Sequence, residues 1–118
     1  MRILLDTNFL VFAAKKKVRI FSELEGELYT IDLVERELAK LAGGNGKDAA
    51  AARIALKLLK AEGIRALKAE KEEADDELAR RAKAGFAVAT QDRALRERIK
   101  KSGGKVIFIR QGRHAVQG

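Results

Sequence analysis

Arg2-Ile3-Leu4-Leu5-Asp6-Thr7-Asn8 opens the chain. The run 2–5 is short and apolar enough for a buried strand, and Asp6-Thr7-Asn8 has the chemistry of a helix start before the helical run from Phe9. Outward from this unit the pattern repeats. Candidate strands at 2–5, 28–31, 64–67, 86–89 and 105–109 alternate with helical segments at 7–14, 18–25, 33–42, 47–62, 74–84 and 93–101. Apolar runs of four or five residues between longer 3.6-period segments predict a parallel sheet covered on both faces. Gly43-Gly44-Asn45-Gly46 reads as a turn between helices, Gly63 and Gly85 as helix C-caps, and Gly103-Gly104 as the end of the last helix. No linker, repeat or low-complexity tract divides the chain. The expected fold is α/β: a single three-layer α/β/α domain over residues 1–118 around a central parallel five-stranded sheet.

Composition narrows the function. An apolar fraction of 47% with 36% charged residues is globular. The absence of cysteine removes disulfides and thiolate metal sites. A single histidine, His114, argues against zinc catalysis and against paired-histidine RNA cleavage. The net charge of +8 favours a polyanionic partner such as nucleic acid. The apolar run Phe9–Ala14 is too short for a signal peptide, follows Asp6 and Asn8, and precedes rather than follows Lys15-Lys16-Lys17. No stretch approaches the roughly 20 apolar residues of a membrane span. The expected compartment is the cytoplasm.

Four acids stand where catalytic carboxylates would. Asp6 and Asp92 lie just past strand ends, where ligand sites of open α/β sheets form. Each reads equally well, taken alone, as a helix N-cap, with Thr90 an alternative cap to Asp92. The helical acids say more. Val34, Glu37, Leu38 and Leu41 follow i, i+3, i+4, i+7, and Asp75, Leu78, Ala79 and Ala82 repeat that spacing, so Glu37 and Asp75 share packing stripes. A carboxylate leaning inward needs a positive partner. Four such groups together would hold a hard cation of the Mg²⁺ or Mn²⁺ type. Asp76 is rotated about 100° from Asp75, toward Arg80 and Lys83, and is the weaker candidate. Glu35 is read as the capping-box partner of Asp32, and Glu70, Glu72, Glu73 and Glu77 as solvated or dipole-favourable charges. Lys15, Lys16, Lys17, Arg93, Arg96, Arg98, Lys100, Lys101, Arg110 and Arg113 are candidates for an RNA-facing surface. Arg93 and Arg96 are favoured because they lie within about one helical turn of Asp92.

These residues resemble the PIN (PilT N-terminus) domain ribonucleases. The resemblance runs through Ile3-Leu4-Leu5-Asp6-Thr7-Asn8 and Val34-Glu35-Arg36-Glu37-Leu38 with Leu41. It continues through Ala74-Asp75-Asp76-Glu77-Leu78 with Ala82 and Val88-Ala89-Thr90-Gln91-Asp92 with Leu95, and closes on Val106–Arg110. Gly46-Lys47-Asp48 and Ala52–Leu56 look like small stand-alone archaeal members, which are similar both to VapC-type toxins and to PIN nucleases that process ribosomal RNA. The resemblance implies endonucleolytic cleavage of single-stranded RNA by a metal-activated water. Asp6, Glu37, Asp75 and Asp92 would hold Mg²⁺ or Mn²⁺, and Asn8 and Thr90 would support them by hydrogen bonding. It also allows an antitoxin protein or a second copy of the chain as partner. Asp32 stands where relatives often have proline, Gln91 where asparagine is frequent, and the doubled Asp75-Asp76 leaves the third ligand open.

Other classes fit less well. A haloacid-dehalogenase-type phosphatase would place a second aspartate where Asn8 stands. A phosphoacceptor receiver domain would need an acid paired near Asp6, an aspartate after a middle strand and a lysine after the last one. Here Leu4-Leu5 precede Asp6, Ile64–Leu67 ends without an aspartate, and Arg110 closes the final strand. A non-catalytic RNA-binding module leaves the inward-leaning acids unexplained.

Overall fold

The structure is a computed structural model describing residues 1–111 and 114–118. Its elements, in chain order, are β1 (Arg2–Leu5), α1 (Thr7–Lys16), α2 (Ile20–Glu23), β2 (Glu27–Ile31), α3 (Asp32–Ala42) and α4 (Lys47–Ala61). They continue with β3 (Arg65–Leu67), α5 (Ala74–Lys83), β4 (Ala87–Ala89), α6 (Arg93–Lys101), β5 (Lys105–Arg110) and β6 (His114–Gln117). The sheet order is β3-β2-β1-β4-β5-β6, parallel except for the antiparallel β5–β6 pair. The five parallel strands and their helices match the sequence reading. The sixth strand does not: the tail turns back at Gln111, whose φ is +54°, and pairs along β5. The backbone N–H of Ala115 also donates to Glu23 of α2 at 3.2 Å.

Burial explains the pattern. Ile3, Leu4 and Leu5 of β1 and Ala87, Val88 and Ala89 of β4 are all buried, as central strands covered on both faces require. Helices α1, α3 and α4 pack on one another, and α5 packs on α6. Right-handed crossovers assign the two groups to opposite faces of the sheet. Buried Ala49, Ala52 and Ala55 let α4 approach its neighbours closely, while Leu38, Leu59, Leu78 and Ile99 fill the layers. Each large apolar side chain contributes roughly 1.5–3 kcal/mol by leaving water. From β1 the chain steps outward to β2 and β3, then returns to β4 on the other side of β1. The reversal of strand order therefore falls between β1 and β4. Their register, Leu5 opposite Ala89, brings Asp6 and Thr90 side by side at the carboxyl ends.

The segment between β3 and α5 is fastened by a carboxylate that the sequence reading took for a solvated one. Glu77 is 0% exposed. Its Oε1 accepts from the backbone N–H groups of Glu70 and Lys71, both at 3.0 Å, and from Arg80 Nε at 3.2 Å. Its Oε2 accepts from Arg80 Nη2 and Arg81 Nε, both at 2.8 Å. Arg81 also donates to the carbonyl of Lys68 at 2.9 Å. Asp32 completes the fastening. Instead of forming a capping box with Glu35, it accepts from the N–H of Ala69 at 3.1 Å and pairs with Arg36 at 3.4 Å. The cap position belongs to Ile31, which has no side chain to offer the helix.

Burial alone would raise the Glu77 pKa, but the two guanidiniums and two amides outweigh it and hold the group down at about 2. A folded pKa below the unfolded value means stability gained above about 4.5 and lost as pH falls toward about 2. Glu77→Gln leaves partly buried Arg81 without an acidic partner and Arg80 with Glu70 alone, and is expected to cost about 3 kcal/mol at pH 7. Urea denaturation at a series of pH values should show the deficit shrinking below pH 4.5.

Candidate active site

Asp6 is 4% exposed at the carboxyl end of β1 and caps α1. Its Oδ1 accepts from the Thr7 N–H at 2.8 Å, and its Oδ2 from the Thr90 hydroxyl at 2.7 Å. Thr90 is itself buried and stands one residue beyond β4. Its oxygen accepts from the Asp92 N–H at 3.1 Å. The side-chain oxygen of Asn8 lies 3.1 Å from the same hydroxyl and accepts from the Gln91 N–H at 2.8 Å. Gln91 reaches on to β5, receiving the Ile109 N–H at 2.6 Å and donating to the Ile109 carbonyl at 3.1 Å. Asp92 caps α6 through Oδ1, which accepts from the Leu95 N–H at 3.1 Å. Cap and candidate ligand are thus compatible roles: one oxygen of Asp92 serves the helix, and the other makes no hydrogen bond among the described residues. Asp6, Asn8, Thr90 and Asp92 form one connected set across the β1–β4 switch.

Glu37, Asp75 and Asp76 line a depression of about 540 Å³ between the starts of α3 and α5, together with Leu33. Glu37 is exposed, as is Leu41. The stripe that the spacing identified is real, but its buried line is Val34 and Leu38, and Glu37 stands on its rim. Asp75 also stands at the rim, on the first turn of α5. Neither carboxylate has a hydrogen-bond donor among the described residues. Asp76 is different, since Arg98 of α6 pairs with it at 2.9 Å.

The electrostatics tie the two groups of acids together. Burial pushes the Asp6 pKa up to about 6; the Thr90 and Thr7 hydrogen bonds oppose the rise, and the negative fields of Asp75 and Glu37 add to it. Asp75 is pushed up by burial first, then by Asp92, with Asp76 and Glu37 adding to the rise and Arg98 opposing it. Among the described residues no three acidic side chains approach closely enough, in these rotamers, to close on one ion. The donor set nevertheless suits a hard divalent cation: oxygen ligands only, mutual repulsion, and no guanidinium committed to Asp6, Glu37, Asp75 or Asp92 among the described residues.

A family model described as a PIN like domain matches residues 3–112, nearly the whole chain. The chain belongs to the PIN-like domain family. PIN domains are typically nucleases, they act on RNA, and they generally use divalent metals. No curated protein matches the chain. Among the described residues, no helix of this PIN-like domain is long and apolar enough to cross a membrane.

The basic candidates are distributed around the PIN-like domain. Lys15 pairs with Asp48 at 2.8 Å, Lys16 lies 5.9 Å from the Phe12 ring, and Lys17 ends α1 in a left-handed conformation. All three sit at the end of α1 remote from Asp6, about 15 Å along the helix axis. Arg93 pairs with Glu97 at 3.2 Å. Arg96 lies over the Phe108 ring at 4.1 Å, with a buried Nε that has no partner among the described residues. Arg110 flanks the same ring at 5.9 Å. Lys100 is exposed, Lys101 lines the cleft between α5 and α6, and Arg113 lies outside the described residues. Glu77 is the residue that sequence reasoning missed. Its signal was the pair of arginines at i+3 and i+4 beside buried Leu78.

A carboxylate whose folded pKa exceeds its unfolded value destabilises the fold as pH rises through the interval between them, here from about 3.8 to about 6. In metal-free protein, Asp6→Asn should therefore raise stability by roughly 1–3 kcal/mol at pH 8 and give little at pH 4. Thermal melts in chelator at both pH values check this. An added divalent cation should reverse the ranking at pH 8.

Proposed function

We propose that this PIN-like domain is a divalent-metal-dependent endoribonuclease that cleaves single-stranded RNA with a metal-activated water. The observation that carries the reading is the coupling of buried Asp6, hydrogen-bonded to Thr90, to the fields of Asp75 and Glu37. Asp6, Asp92, Asp75 and Glu37 would hold Mg²⁺ or Mn²⁺. When bound, such a cation supplies an activated water near neutral pH and neutralises charge developing on the phosphoryl oxygens. The residues do the rest. Thr90 orients Asp6 while its oxygen holds the Asp92 N–H, and Asn8 locks the Thr90–Gln91 turn. Glu77 anchors the segment that leads into Asp75. The low exposure of Asp6 removes competing water from one carboxylate and strengthens its attraction for a cation.

For the biological role we infer a VapC-type toxin partnered by an antitoxin. An apolar groove between α1, α2 and α4, with Ile54 47% and Leu58 39% exposed, supports a protein partner. Growth arrest on expression alone, relieved by Asp6→Asn, would fit the toxin. Absence of arrest together with co-sedimentation with ribosome precursors would favour RNA processing.

The ion pair of Asp76 with Arg98 supports Asp75 as the third ligand. Asp75→Asn is expected to reduce Mn²⁺-dependent cleavage of a single-stranded RNA at least 100-fold, and Asp76→Asn less than 10-fold. Single-turnover cleavage assays decide between them; the reverse ranking would reassign the ligand.

A further inference from the structure

We propose that the cleft between α5 and α6 is the track along which RNA phosphates leave the acidic site. This rests on the endoribonuclease reading and names the surface that reading requires. The cleft, of about 820 Å³, lies directly beside the acidic depression, and the Asp76–Arg98 pair lines both. Helices α5 and α6 both start at the acids, from Asp75 and Asp92. About 12 Å along α5 stands Lys83, and about 13 Å along α6 stands Lys101. Both line the cleft, as does Lys71 on the segment before α5.

The ion pairs sort the cations of this cleft. Arg80 is held by Glu77 and Glu70, and Arg98 by Asp76. The acidic wall residue Glu97 pairs with Arg93. Lys71, Lys83 and Lys101 are all exposed and enter no ion pair among the described residues. Lys83 and Lys101 also offset the negative ends of their own helices. Lys71 has no helix end to serve, yet it faces the same cleft. Three uncommitted ammonium groups beside a cluster of carboxylates give a gradient of charge. The acids repel a phosphate backbone until a cation screens them, and the lysines hold the strand in place meanwhile. Ammonium groups on flexible stems suit a backbone of variable sequence.

The test is binding of a fluorescent single-stranded RNA oligonucleotide to the full chain in chelator, by anisotropy over a range of salt. The variant Lys71→Gln/Lys83→Gln/Lys101→Gln is compared with a charge-matched control on the opposite layer, Lys47→Gln/Lys57→Gln/Lys60→Gln. Loss of three phosphate contacts should weaken binding at least 10-fold at low salt and flatten the log–log salt slope by about 2, at ~0.7 per contact. The control should stay near the wild type. All six positions are exposed, so both variants should stay folded, with melting temperatures lowered only slightly by loss of the last-turn charges of Lys83 and Lys101 and, in the control, of Lys60. Lys101→Gln alone should flatten the slope by about 0.7. If the wild type binds RNA and cleaves it with Mn²⁺ while the cleft variant matches the control, the track is overturned and the nuclease reading stands. If the wild type neither binds nor cleaves RNA, both fall.

Discussion

Asp6 is placed by the register of two central strands. Leu5 pairs with Ala89, so the next residues of each strand, Asp6 and Thr90, meet where the sheet changes direction. The Thr90 hydroxyl at 2.7 Å and the Thr7 amide at 2.8 Å fix both carboxyl oxygens. A carboxylate at this depth is costly, and two hydrogen bonds do not fully offset the cost, so its pKa remains near 6. Slipping either strand by one residue would separate Asp6 from Thr90 and turn Leu5 to the wrong layer. Apolar burial of β1 and β4 therefore fixes the position of the acid as well as the stability of the sheet.

Helix α5 carries the contrast that gives the site its character. Glu77 is buried and satisfied by two guanidiniums and two amides; Asp75, two residues earlier, has neither. One acid is spent on structure and is held near 2, while the other is left to repel Asp92, Asp76 and Glu37. Repulsion between uncommitted carboxylates is a store of binding energy for a cation. The satisfied Glu77 keeps the neighbouring turn from relaxing that repulsion away.

Much of this was legible in the sequence because it is local. Alternation of short apolar runs with 3.6-period segments located five parallel strands, and Asp6 and Asp92 could be placed at strand ends by counting. Periodicity could not separate the centre of a stripe from its rim, which is why Glu37 reads as inward yet stands exposed beside Leu41. The role of Glu77 depends on amides of Glu70 and Lys71 folding back over it, and that of Asp32 on Ala69, 37 residues away. Such contacts have no periodic signature. Strand β6 was missed for a related reason. His114-Ala115-Val116-Gln117 has two adjacent apolar residues and no alternation, and is recruited by the open edge of β5.

Calorimetry of Mn²⁺ binding at pH 6 and pH 8, in buffers of different ionisation enthalpy, tests the central claim that a cation relieves the buried acid. With Asp6 titrating near pH 6, binding should release up to about half a proton from it at pH 6 and almost none at pH 8. Asp6→Asn should remove most of that release. Mn²⁺ binding with no proton release at pH 6, or no binding at millimolar Mn²⁺, would contradict the account.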